Sequence, residues 1–189
     1  MSDLLAIVRN LNRLAALGRT GLLDSPPEDS FDRLTRLATR LLKTPVALVS
    51  LVDRDRQFFK SAVGLPEPWQ SRRETPLSHS FCKHVVALHE PLVIVDARKD
   101  PIYRDNPAVR ELRIVAYAGV PLTMSGFALG AFCVTDNQPR IWSYDDIQTL
   151  TDLAECAKRE IDLRTRLREV ESAWRDATAR VKQLETSVH

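Results

Sequence analysis

Four donor side chains crowd one short stretch. In "SHSFCKHVVALHE" the residues His79, Cys82, His84 and His89 fall within eleven positions, a density of nitrogen and sulfur that invites a metal ion. Geometry argues against it. The pattern predicts a helix from near Ser78, on which His79 and Cys82 share a face. On that helix His84 lies about 140° around from His79, and His89 roughly 15 Å along the axis. Zinc requires its ligands at about 2.0–2.3 Å, so the four cannot converge on one ion while the segment is helical. No metal site is expected. The helix instead turns Phe81, Cys82 and Val85 inward and leaves Lys83 and the histidines to water or to caps.

The cysteines raise a second chemistry. Cys82, Cys133 and Cys156 are odd in number and irregular in spacing, which speaks against a disulfide framework and for reduced thiols in a cytoplasmic chain. If the Cys82 helix lies over the strand "ALGAFCVTD", Cys82 and Cys133 meet, and a redox-active pair would make the chain a small thiol oxidoreductase. Only Lys83 and His84 offer a basic neighbourhood to lower a thiol pKa, so two buried cysteines acting as small apolar residues are the preferred expectation. Asp96, Asp100, Asp136 and Asp145 offer carboxylates for acid–base work. Each follows a strand or precedes a proline or helix, where a carboxylate caps free N–H groups. No catalytic residue is assigned, and the chain is not expected to be an enzyme.

The elements that must position these residues are readable from pattern. The 189 residues suit one domain plus an appendage, with 44% apolar and 28% charged residues. A net charge of +2 with both signs interleaved gives no footprint for nucleic acid. No apolar run approaches the roughly 18 residues of a membrane span. Residues 3 to 17 place Leu4, Ile7, Val8, Leu11, Leu14 and Ala15 on one helical stripe, closed by Gly18 and Gly21. Ser25, Pro26 and Glu28 read as a capping box opening a second helix to about Leu42, which buries Phe31, Leu34, Leu37, Ala38 and Leu41. Strands are expected at 46–53 and 57–63 around the turn "DRDR", with a polar loop to Ser78. A strand is expected at 92–96, short capped turns at Asp100-Pro101 and Asn106-Pro107, and two strands from 113 to 136 joined as a hairpin at Ser125-Gly126. Ser143 with Asp146 caps the last helix. The strands are apolar on both faces, so helices must cover the sheet on each side. The class is α+β.

In that order the segments "GLLDSPPEDSFDRLTRLA", "PVALVSLVDRDRQFFKS", "SHSFCKHVV", "PLVIVDARKDP", "NPAVRELRIVAYAGVPL" and "LGAFCVTDNQPR" resemble a GAF domain across about residues 20–162. The subtype is the bacterial one found at the N-terminus of sensor histidine kinases, diguanylate cyclases and serine/threonine phosphatases. The resemblance implies a central five- to six-stranded antiparallel sheet with helices on both faces and a pocket closed by short helices and loops. It implies a small-molecule ligand near His79, Phe81, Cys82, Tyr103, Asn106, Tyr117 and Cys133, and an output domain in cis. The Asn-Lys-Phe-Asp-Glu pattern of cyclic-nucleotide-binding members is absent. Cys82 is not in the setting of bilin-attaching members, and the methionine-sulfoxide-reducing branch uses a different cysteine pattern. The cofactor is therefore unknown.

The last helix carries two patterns. Ile147, Leu150, Leu153, Ala154, Ala157 and Ile161 form a broad face for packing on a sheet. Beyond them Leu163, Leu167, Val170, Trp174, Ala177, Val181, Leu184 and Val188 step by 4, 3, 4, 3, 4, 3 and 4, the repeat of a left-handed coiled coil. Such a seam needs a partner, and the simplest is a second copy, with Leu4, Val8 and Leu11 of the first helix joining the interface. The expected organisation is an N-terminal dimerisation helix (1–19), a sensory domain (20–162) and a C-terminal coiled-coil helix (163–189). The last would relay the pocket's state outward; a ligand-free docking module is the alternative.

Overall fold

Ser125 and Gly126 both have positive φ, 51° and 79°, the backbone of a two-residue turn whose twist matches the strands it joins. They fold β5 (Ala116–Met124) back onto β6 (Phe127–Asp136), the expected hairpin. The computed structural model describes residues 2–187, and among them the side chains of 4–180, 182 and 183. Strands β1 (Val46–Val52), β2 (Arg56–Val63), β3 (Glu74–Pro76) and β4 (Leu92–Ile94) complete one sheet in the order β3-β2-β1-β6-β5-β4, every neighbour antiparallel.

Both faces are covered, as apolar strands require. On one, α2 (Leu11–Thr20), α3 (Asp29–Leu42) and the start of α7 (Tyr144–Ser187) enclose Val49, Leu51, Phe58, Val120, Leu129 and Phe132. On the other, α1 (Ser2–Val8), α5 (Cys82–Leu88) and the stretch around α6 (Pro107–Glu111) cover Leu48, Phe59, Tyr117, Ala131 and Cys133. A small α4 (Trp69–Arg72) and a 3-10 turn at Leu77–His79 lie within the stretch expected to be a plain polar loop.

Four expectations need correction. The first helix is two. Asn10 caps α2 by accepting from the Arg13 N–H at 3.1 Å, and the Arg13 guanidinium, 2% exposed, donates to the Val8 carbonyl at 2.8 Å. The break turns α1 onto the α5 side, so Val8 is fully buried and Leu4 packs against the same cluster inside one protomer. Val8 offers no free surface, Leu4 is half-buried, and Leu11 on α2 is 74% exposed. Second, α3 begins only at Asp29, because Pro27 keeps Pro26 out of the helical region, and no capping bond forms. Third, α3 buries Phe31, Thr35, Ala38 and Leu42 and turns Leu37 and Leu41 outward; Thr35 is admitted because its hydroxyl bonds Ser61 Oγ at 2.8 Å. Fourth, the helix expected from Ser78 starts at Cys82, leaving His79 in the 3-10 turn, and the strand expected at 92–96 pairs only over Leu92–Ile94.

The last helix meets its first pattern. Ser143 and Asp146 exchange reciprocal bonds at 3.0 Å, and Leu150, Ala154, Ala157 and Ile161 are buried on the sheet. Beyond Thr165 the described side chains up to residue 180 face solvent. The side chains of Val181 and Leu184, and all of Val188, lie outside the described residues.

Candidate functional site

The β5 strand sends Tyr117 toward α5, and the following same-face residue is Gly119. A Cβ at Gly119 would lie 2.2 Å from the phenol oxygen. The missing side chain is what lets the tyrosine lie along its own strand. There its ring stacks on Phe81, centroids 5.3 Å apart, and Phe81 stacks in turn on Tyr103 at 5.5 Å. The Tyr117 hydroxyl donates to Cys82 Sγ at 3.3 Å, and Cys82 Sγ stands 3.6 Å from Cys133 Sγ. All five residues are buried.

The sequence expectation thus brings Phe81, Cys82, Tyr103, Tyr117 and Cys133 together. His79 sits at the rim, its Nδ1 3.0 Å from Ser78 Oγ and its Nε2 3.0 Å from a Glu111 carboxylate oxygen. Asn106 does not join them as a pocket contact: its Oδ1 accepts from the Ala108 N–H at 2.9 Å and caps α6. Between these groups and Gln57, Thr75 and Thr135 remains a void of about 10 Å³, at most one water's room. Thr75 Oγ1, buried against it, has no hydrogen-bond partner among the described residues. An open cleft of about 510 Å³ outside shares Leu112 and Thr135 with the void's lining.

The electrostatics are asymmetric. The hydrogen bond with Cys133, reinforced by the Tyr117 hydroxyl, holds the Cys82 thiol below its ordinary pKa despite complete burial. Cys133 is pushed well above its own by the same bond and by burial. Burial raises Tyr117 strongly. His84, edge-on to Tyr103 at 5.0 Å, is lowered to about 4 by burial and by neighbouring Lys83. Among the described residues no group of three or more His, Cys, Asp or Glu is placed to hold a metal ion.

A second cluster escaped the sequence reading. The register of β1 against β2 slips so that Val49 faces Ser61 and Ser50 faces Phe59, leaving Lys60 as an extra residue in a β-bulge. The bulge lets consecutive residues serve one layer: Ser61 Oγ donates to Asp32 at 2.6 Å, and Lys60 reaches the loop before α3. The Lys60 side chain is fully enclosed, donating to Ser25 Oγ and the Pro26 carbonyl at 2.7 Å each and pairing with Glu28. Arg164 of α7 takes the other Glu28 oxygen, and Arg168 donates to the Gly21 carbonyl at 3.1 Å. Burial, with Arg73 nearby, lowers Lys60 to about 8. The visible signal is a lysine inside the apolar strand "QFFKSAV"; its partner Glu28 reads in the sequence as part of a cap.

A family model for the GAF domain matches residues 26–161, and the chain belongs to that family. It is 39% identical over 131 residues to cyclic di-GMP phosphodiesterase PA2567 of Pseudomonas aeruginosa, a match spanning 68% of this chain and 22% of that protein. Among solved structures, the GAF domain of a phosphoenolpyruvate-protein phosphotransferase from Coxiella burnetii is similar at a TM-score of 0.63 and 16% identity, covering 89% of this chain and 98% of that one. A free methionine-R-sulfoxide reductase from Neisseria meningitidis, solved with its substrate, superposes at 0.59 and 16% identity, covering 80% and 89%. At such identities these two structures show a common fold. Among the described residues no helix is long and apolar enough to cross a membrane.

Proposed function

We propose that this chain is a sensory and regulatory module that dimerises along the stem of α7 and passes the state of its pocket face to an output domain in cis. The observation that carries this reading is the seam. Leu163, Leu167, Val170 and Trp174 are 65%, 59%, 66% and 68% exposed on a stripe that repeats every 3.5 residues. An apolar stripe of that length calls for a partner, and a parallel second copy supplies an identical one. The pocket-face strand β6 leads to α7 through a connector pinned to β4, where Arg140 N–H donates to the Val95 carbonyl at 3.0 Å and Trp142 Nε1 to Ile94 at 3.2 Å. The division at residues 19/20 and 162/163 belongs to the same proposal. The name of the Pseudomonas relative supports cyclic di-GMP signalling as the setting.

Sedimentation at micromolar concentration and native mass spectrometry test it together: a dimer is expected, and a lone protomer overturns the relay. A second reading, a partner-docking module with no small ligand, is favoured by the interior, where aromatic rings leave about 10 Å³. A small molecule retained in the native mass spectrum decides against it. For the thiol oxidoreductase reading, turnover of free methionine sulfoxide by the wild type that vanishes in Cys82→Ser and Cys133→Ser would replace the sensory proposal.

A further inference from the structure

We propose that Cys82 and Cys133 form a hydroperoxide-reactive dithiol that closes to a reversible disulfide in the interior. The geometry comes first. The sulfurs are 3.6 Å apart across the α5–β6 contact, so bonding them requires closure by about 1.6 Å to the ordinary S–S length. They come from elements 51 positions apart in sequence, and nothing stands between them.

The two thiols have different surroundings. Cys82 Sγ receives the Tyr117 hydroxyl at 3.3 Å and faces Cys133 Sγ at 3.6 Å. These contacts favour its thiolate, the nucleophilic form. Cys133, 0% exposed on the central strand, keeps its proton. This is the division of labour between an attacking and a resolving thiol. The void beside them has room for at most one water and shares Leu112 and Thr135 with the lining of the open cleft. Only a small oxidant such as hydrogen peroxide can therefore reach the sulfurs, and it does so when the surrounding side chains yield.

The chemistry balances. The Cys82 thiolate attacks one peroxide oxygen and the O–O bond breaks. The departing hydroxide takes up the proton that Cys82 had released, leaving as water, and the sulfur becomes a sulfenic acid, oxidised by two electrons. Cys133 Sγ then attacks Cys82 Sγ; the S–O bond breaks, and hydroxide leaves with the Cys133 proton as a second water. Two thiols and one peroxide give one disulfide and two waters. A dithiol reductant reverses the bond by exchange. The assignment rests on the interior alone and is independent of dimerisation and relay. It also differs from methionine sulfoxide reduction, since the peroxide is the substrate and the domain itself the product.

The reduced chain is treated with hydrogen peroxide, denatured in excess alkylating agent and mapped by peptide mass spectrometry. The expected product is a peptide pair joined through Cys82 and Cys133, lighter by two hydrogens, restored by dithiothreitol, with exposed Cys156 still alkylated in a large share of molecules. In Cys133→Ser, dimedone should trap a sulfenic acid on Cys82; in Cys82→Ser, Cys133 should stay reduced. The wild-type map decides even if a variant folds poorly. Full alkylation of Cys82 and Cys133 after peroxide has consumed Cys156 overturns the proposal.

Discussion

Tyr117 and Gly119 show how one absent side chain sets the interior. The phenol lies where a Cβ at 119 would come within 2.2 Å, and stacking on Phe81 leaves it nowhere to retreat. Gly119→Ala should therefore destabilise the fold by about 2 kcal/mol through overpacking, read as a lower urea midpoint with an unchanged slope. His84 gives a pH-dependent prediction. Its folded pKa of about 4 lies below the ordinary value of 6.5. Between the two, the unfolded chain binds a proton that the folded chain refuses, so the His84 contribution falls as pH drops through this window and is level above it. The expected loss is about 2 kcal/mol after allowance for the ring's partial solvent access; His84→Gln should flatten that part of the stability profile. The nearness of Cys82 and Cys133 was legible, since two apolar-facing cysteines on a helix and the strand beneath it can meet. The Tyr117–Gly119 fit was not, because it depends on how a ring leans along its own strand.

Among the elements, periodicity carried much of the reading, and proline and polar caps decided where it failed. The Ser125-Gly126 hairpin, the Asn106-Pro107 start of α6 and the Ser143–Asp146 cap were all visible as local chemistry. The Ser25 cap was visible too and does not form, because consecutive prolines deny it a first turn and a buried lysine claims Ser25 and Glu28. The bulge at Lys60 showed in the sequence only as a lysine inside an apolar strand, and strict alternation cannot turn Lys60 and Ser61 to one side. Glu28 now joins three elements: the loop before α3, strand β2 through Lys60 and helix α7 through Arg164. Glu28→Gln leaves an enclosed ammonium without its counter-charge and should cost about 3 kcal/mol in chemical denaturation. Hydrogen exchange should rise first in α7 near Arg164 and in residues 21–28. Unchanged exchange there would show that the pair fastens nothing.

For the molecule as a whole, the fold class and the two faces of the sheet followed from apolar strands that needed cover on each side. The membership of those covers did not: α1 was expected with the dimer and instead closes the pocket face. The proposed dimer places its energy in the exposed seam. Leu167→Glu combined with Val170→Glu should give a monomer by sedimentation while the thermal transition of the body moves little, since both residues are more than half exposed. Loss of the body's transition along with the dimer would mean that the two are one cooperative unit. The stem also has a mechanical consequence. From Arg166 to Ser187 the helix rises about 33 Å, so a ten-degree tilt at its root carries the tip by about 6 Å. Leverage runs both ways: whatever clamps the tip stiffens the root, and with it the carboxylate of Glu28.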